Sequence, residues 1–327
     1  MGGDFGPRVT VPAVLDALRR HSQLVIHLVG DQSQITPFLK RIKPSVSERL
    51  VLVHSDTVIR NEDKPSYALR HLRDSSMFMA LQCVADGVAD ACVSAGNTGA
   101  LMAIGRHVVR TLPGIDRPAI ISPVPTPAGH SYLLDLGANV DCSAEHLLQF
   151  AVMGSVLVQS VEGIARPQVG VLNIGEEEIK GNEQVRLASR LIDEQAGLNY
   201  IGFIEASDLF SGKADVIVCD GFVGNIALKS SEGLARLIGR KVSDSFRGSL
   251  YRRVLAFLAR PMLVQLQREI DPSRHNGASL LGLQGIVVKS HGAANVKCFR
   301  YALEQAVVEV QMALPEKISS QVARYLS

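Results

Sequence analysis

The sequence predicts an α/β fold: a largely parallel sheet in an α/β/α sandwich, built as a single domain over residues 1–327. Three observations predict it. Apolar runs of strand length alternate with runs of helical periodicity along nearly the whole chain, as a sheet covered by helices on both faces requires. Hydrophobic residues make up 46% and charged residues 20%, enough for a sizeable core. Five apolar runs end in Gly- and Asn-bearing corners: CVSAGNTGALM, LLDLGANVDC, VLNIGEEEIKGNE, VIVCDGFVGNIALK and VVKSHGAAN. Gly permits positive φ and close approach of a ligand, and the free N–H groups that open a following helix attract an anion.

In chain order, Leu24–Val29 and Leu50–His54 read as strands. Met77–Val84 reads as a helix, with Ser75 and Ser76 as caps. Ala91–Ser94 is strand-like and Thr98–Arg110 helical. Ala119–Ser122 and Tyr132–Leu136 are strands around the Pro-rich loop Pro123–His130. Ala144–Val161 is a long helix, Gln168–Ile174 a strand and Glu183–Asp193 a helix. Tyr200–Glu205 and Val216–Cys219 are strands, Asn225–Arg240 is a helix, and Ala293–Leu314 closes the fold.

Leu250–Ile270 breaks this rhythm. Tyr251, Val254, Leu255, Leu258 and Met262 recur at helical spacing, Arg252, Arg253 and Arg260 are interleaved, and Pro261 divides the run. One reading is a protruding amphipathic helix pair over 241–272, with its apolar side in a membrane interface and Arg side chains at the headgroups. The other is a helix packed on the core or on a dimer partner. From Arg236 to Ile270 eight basic residues face only Asp244 and Glu269; against a whole-chain charge of +2, the rest of the chain is net acidic. Such a local field suits an acidic partner or an anionic surface.

Composition excludes several classes. Trp is absent and aromatics are scarce, which argues against stacked-base nucleic-acid binding. The five cysteines lack metal-ligand spacing and read as buried free thiols; no metal site is expected. No apolar run reaches the roughly 18–20 residues of a membrane span. The chain lacks a G-x-G-x-x-G turn with an acidic residue about twenty positions on, so a dinucleotide site is not expected. Asp215 and Asp220 alone are too few carboxylates for metal-dependent decarboxylation. No cofactor is expected.

The corners supply the candidate site. Gly96, Asn97, Thr98 and Gly99 form the best phosphate cradle by composition; their other reading is a tight strand–helix turn. Lys180, in the IKGNE turn, offers a point charge for phosphate or an oxyanion, or is one more surface charge beside Glu176–Glu178. Asn225 offers an amide donor or a helix cap. Asp220 and Gly224 flank it, with Asp220 suited to orienting Asn225 or Lys180. His291 donates to phosphate or passes a proton, or is simply a loop residue. Lys229, Lys289 and Asp4 have weaker claims.

These corners, with MGGDFGP at Met1–Pro7, GIDRPA at Gly114–Ala119 and GASLLGLQG at Gly277–Gly285, resemble the phosphate acyltransferases called PlsX, over essentially the whole chain and in order. The resemblance implies phosphorolysis of acyl–acyl carrier protein to acyl phosphate and free carrier, for phosphatidic acid synthesis. It implies a sheet like those of phosphotransacetylases and isocitrate dehydrogenase. It also implies a cytoplasmic homodimer peripherally bound to the membrane, with a membrane glycerol-phosphate acyltransferase as a further partner. It makes Lys180, Asn225 and His291 the catalytic candidates, and the basic segment with Arg252, Arg253, Leu255, Leu258 and Arg260 the carrier or membrane contact. Members carry a short apolar strand before the MGGD motif, where this sequence begins: either the start is placed late, or the strand is missing and the sheet loses a strand next to Asp4. Two other readings are a phosphotransacetylase acting on a coenzyme A thioester and a membrane-bound scaffold without catalysis.

Overall fold

The computed structural model describes residues 1–40, 42–246, 251, 257–263 and 277–325. Two strands, β1 (Ile26–Gly30) and β2 (Leu50–His54), pair in parallel as a separate small sheet. The main sheet has eight: β3 (Ala91–Ser94), β4 (Ala119–Thr126), β5 (Gly129–Leu134), β6 (Gln168–Asn173), β7 (Asn199–Glu205), β8 (Val216–Val218), β9 (Ala278–Leu281) and β10 (Ile286–Lys289). Their order is β3-β10-β9-β4-β5-β8-β6-β7. A cavity of about 740 Å³ separates β1 from β3.

Burial follows the period-2 rule of a pleated strand. Ile121, Leu134, Val216 and Val218 face a cluster with Phe150, Met153 and Leu157 of the helix Ala144–Val161. Ile120, Leu133, Ile217 and Leu280 face the opposite cluster, with Leu101 and Ile104 of the helix Thr98–Val108. Alternate residues thus fill two cores, one on each side of the sheet, as an α/β/α sandwich requires. The long helix sits close because Gly154 has no Cβ; one there would lie 2.7 Å from Val216 Cγ1.

Most predicted elements appear near their expected bounds, and Ser75 caps its helix by accepting from the Phe78 N–H. Four differ. The Pro-rich stretch is not a loop: β4 runs through Thr126 and returns in β5 as a hairpin. β9 pairs β4 only at Ala119–Ile121, so Pro123 and Pro125 lie where one neighbour is missing and a lost N–H costs little. The helix expected from Asn225 starts a turn earlier, at Gly221, and runs to Ser245. The C-terminal run is two helices, Val296–Gln311 and Leu314–Tyr325, divided at Ala313 with φ 49°. The helix Pro7–Arg20 was not expected; Pro7 stands at its first position, where a missing N–H costs nothing, and only Pro12 lies inside it.

Of the charged excursion, Arg252, Arg253 and Leu255 lie outside the described residues. Residues 257–263 are helical, with Phe257, Leu258 and Met262 strongly exposed and Arg260 also exposed. Among the described residues no helix is long and apolar enough to cross a membrane.

Candidate active site

Strand direction divides the five corners. β3 and β10 run parallel to each other, while β5, β8, β6 and β7 run parallel among themselves. Between the two sets, β9 and β4 pair antiparallel with each of their neighbours. Three antiparallel steps leave the two sets pointing in opposite directions. The Asn97 and His291 corners therefore open at one end of the sheet, and the Gly137, Lys180 and Asp220 corners at the other. A single crevice lined by all five corners does not follow from this topology.

At the second end the chain closes tightly on Asp135. Its buried carboxylate accepts from the N–H groups of Ile120 (2.9 Å), Ala138 (3.1 Å) and Asn139 (2.6 Å), and from Asn139 Nδ2 (3.0 Å). Burial nonetheless pushes its pKa up to about 6. The helix Gly221–Ser245 docks on this turn. A Cβ on Gly224 would lie 2.0 Å from the Asp135 carbonyl oxygen, and one on Gly221 2.6 Å from the Asn139 oxygen. Asp220 caps the helix, accepting from the Val223 N–H at 2.9 Å. That role removes the cap reading of Asn225, which sits in the second turn, exposed, with its side chain beside Gly137.

Lys180 stands on the turn after β6. Asn173 Nδ2 donates to the Lys180 carbonyl at 3.2 Å, and Gly181, at φ 89°, leaves room for the Asn173 amide. The Lys180 ammonium is exposed and bonds Glu177 Oε2 at 2.8 Å; Glu177 raises its pKa.

At the first end, Asn97 caps the helix Thr98–Val108, its Oδ1 accepting from the Ala100 N–H at 3.0 Å. Its Nδ2 donates to the carbonyls of Arg60, Asn61 and Asp63, each at 3.1 Å. The side chain therefore tethers the 60–63 loop, while Thr98 and Gly99 open the helix at the surface. Gly96 is buried against the N-terminal loop: a Cβ on Gly2 would lie 2.7 Å from Gly96 Cα. The Asp4 N–H donates to the Gly292 carbonyl at 2.9 Å, so that loop also meets the corner after β10.

There His291 Nδ1 accepts from the Ala293 N–H at 3.1 Å. Partial burial and the Lys229 charge lower the imidazole pKa. Lys289, the last residue of β10, is half-buried and donates to the Ser290 carbonyl. Burial and then Lys229 bring its pKa down to about 8, against a smaller opposing effect of Asp4. Lys229 lies in the third turn of the helix that starts at Gly221, and its charge is felt at Lys289 and His291. Asn225 and Lys229 are one turn apart on the same helix face.

The family described as "Fatty acid synthesis protein" matches residues 1–317. A phosphate acyltransferase of Pseudomonas fluorescens (strain Pf0-1) is 54% identical over 327 residues, covering 100% of this chain and 97% of that protein. One from Methylococcus capsulatus is 54% identical over 322 residues, 98% of this chain and 95% of its own. The chain belongs to the phosphate acyltransferase family. It is an acyltransferase. Its fold is shared with a phosphotransacetylase from Streptococcus pyogenes, at TM-score 0.63 and 16% identity over 93% of this chain and 91% of that one. The EutD phosphotransacetylase from Staphylococcus aureus aligns at TM-score 0.59 and 15% identity, over 94% and 91%.

Transfer of an acyl group to phosphate needs an anion site, donors for a developing oxyanion and no nucleophilic side chain. Among the described residues no group of three or more His, Cys, Asp or Glu is placed to hold a metal ion. Sequence reasoning ranked Lys229 and Lys289 low. The signals were present: a Lys ending the apolar run of β10, and a Lys four residues after Asn225. It missed Asp135 altogether, because a buried carboxylate held by backbone N–H groups has no local signature.

Proposed function

We propose that the enzyme carries out phosphorolysis of an acyl–acyl carrier protein thioester. A phosphate oxygen attacks the thioester carbon, the C–S bond breaks, and acyl phosphate and the free carrier thiol leave. The observation that carries this reading is the full-length, 54% identity with proteins named phosphate acyltransferase. The exposed Asn225 amide donates to the oxyanion, and the Lys180 ammonium adds a positive charge. The helix openings at Thr98–Gly99 and at Asp220–Gly224 receive anionic oxygens, and His291 returns a proton to the departing thiolate. Thiols ionise near pH 8.5, so that last contribution is small.

The basic segment from Arg236 onward docks the acidic carrier, and the exposed face of 257–263 with Leu258 and Arg260 rests on an anionic membrane, where a glycerol-phosphate acyltransferase takes the product. A second copy covers the exposed Leu234, Leu237 and Ile238 of the long helix; light scattering should give a dimer, and a monomer would remove this assignment. A second reading, favoured by the phosphotransacetylase fold, is a coenzyme A thioester as acyl donor. Acyl phosphate formation measured with matched carrier and coenzyme A thioesters decides. Faster turnover of the carrier thioester is expected, and exclusive use of coenzyme A would overturn the first reading.

A further inference from the structure

The buried Asp135 carboxylate joins β4, its own turn and the start of the long helix at one point. Oδ1 accepts from the Ile120 N–H of β4 and from the Ala138 N–H, and Oδ2 from the main-chain and side-chain N–H groups of Asn139. Asn139 Nδ2 also donates to the Pro118 carbonyl at 2.8 Å, and the Asn139 carbonyl accepts from the Gly221 N–H at 2.8 Å. Gly221 is the first residue of the long helix, and a Cβ there would lie 2.7 Å from Asp135 Oδ2. The negative carboxylate thus sits against the positive end of that helix. The Asp135 main chain is fixed too: its N–H donates to the Cys219 carbonyl at 2.9 Å. Between these fixed points the turn carries Gly137, at φ 101°, against Asn225; a Cβ on Gly137 would lie 3.4 Å from both Cβ and Cγ of Asn225. Asn225 is one turn beyond Gly221 on the same helix face.

We propose that Asp135 is a positioning residue for acyl transfer: by holding the 135–139 turn to the start of the helix, it fixes where the Asn225 amide points. This rests on the reading of Asn225 as the oxyanion donor. An exposed amide on a helix has several rotamers, and a donor stabilises an oxyanion only when it is aimed before the charge develops. A displacement near 1 Å can cost about 10²-fold in rate. The Gly137 backbone limits the Asn225 side chain on one side, and the carboxylate fixes that backbone through the N–H groups of Ala138 and Asn139. A buried network with every member satisfied holds such a shape rigidly. The charge is what allows it, because a carboxylate accepts on both oxygens. An Asn in this place would turn its NH₂ group toward two N–H donors in either orientation, so half of the bonds would be lost.

A double-mutant cycle on acyl phosphate formation tests the role. Asp135→Asn should lower kcat at least about tenfold, with the thioester KM changed less than about threefold. In Asn225→Ala, which has no amide left to aim, the same substitution should change kcat less than about threefold. A role confined to stability would act equally in both backgrounds. Gly137→Ala disturbs the same contact from an exposed position, since it adds a Cβ at positive φ beside Asn225. It should show the same dependence on Asn225, and it carries the test where Asp135→Asn does not fold. Equal factors in the two backgrounds overturn the proposal, as does a kcat within about threefold of wild type in both Asp135→Asn and Gly137→Ala. The Asn225→Ala variant separates the two possible failures. Wild-type turnover there sinks the oxyanion reading and this proposal with it; slow turnover there, with Asp135→Asn fully additive, sinks this proposal alone.

Discussion

At the scale of single residues, chemistry and architecture compete for the same side-chain types. Asn97, Asp220 and Asn225 occupy similar corners in the sequence. Two of them are spent on backbone: Asn97 caps one helix and tethers the 60–63 loop, and Asp220 caps another. Asn225 is past the cap, on an exposed helix face, and is the one whose amide faces outward beside Gly137. Removing a single oxyanion donor typically costs 10²–10³ in rate. Asn225→Ala and Lys180→Ala should each lower kcat by at least about tenfold, with far-ultraviolet circular dichroism unchanged. Near-normal turnover of both variants would take these two side chains out of the mechanism. Asn97→Ala, by contrast, should act through stability, since it releases a cap and a loop.

At the scale of elements, the helix Gly221–Ser245 and the short helical piece 257–263 carry the questions. Gly221 and Gly224 let the long helix start directly on the Asp135 turn; any side chain at Gly224 would drive into the Asp135 carbonyl. Asn225 and Lys229 then lie one turn apart along the same helix face. The 257–263 piece leaves Phe257, Leu258 and Met262 exposed next to Arg260. Apolar side chains with adjacent cations bind anionic lipid surfaces by combining burial with attraction that salt screens. Leu258→Glu should therefore weaken co-flotation with vesicles containing anionic lipid, and raised salt should weaken the wild type. Soluble acyl phosphate formation should survive. Flotation that ignores both changes would return this helix to a packing role.

At the scale of the whole molecule, stability depends on a buried acid packed against β9 and β10. Glu309 is fully buried in the helix Val296–Gln311 and accepts from Ser279 Oγ on β9 and from Gln305 Nε2. Burial raises its pKa to about 7, above the 4.5 of an ordinary Glu. A raised acid favours the folded state most when protonated: its contribution is complete below about pH 4.5 and is lost as pH rises through 7. Glu309→Gln keeps an acceptor and removes the charge. The variant should match wild type at pH 5 and be more stable at pH 8, by about 1–3 kcal/mol. A stability difference that does not change between these pH values would refute this.

Local sequence determined the elements and the family. Alternating strand and helix patterns, Ser75 as a cap, the Gly corners and the motif order all depend on neighbours within a few residues, and the structure keeps them. It did not reveal that Pro123 and Pro125 lie in a strand, because that depends on β9 stopping at Ile121's partner, more than 150 residues away. Nor did it reveal which corners meet. Two antiparallel strands in the middle of the sheet, β9 and β4, turn one half against the other, and strand direction is a property of pairing rather than of any segment. Only the tertiary fold brings the charge of Lys229, on the helix that follows β8, within range of Lys289 and His291 after β10.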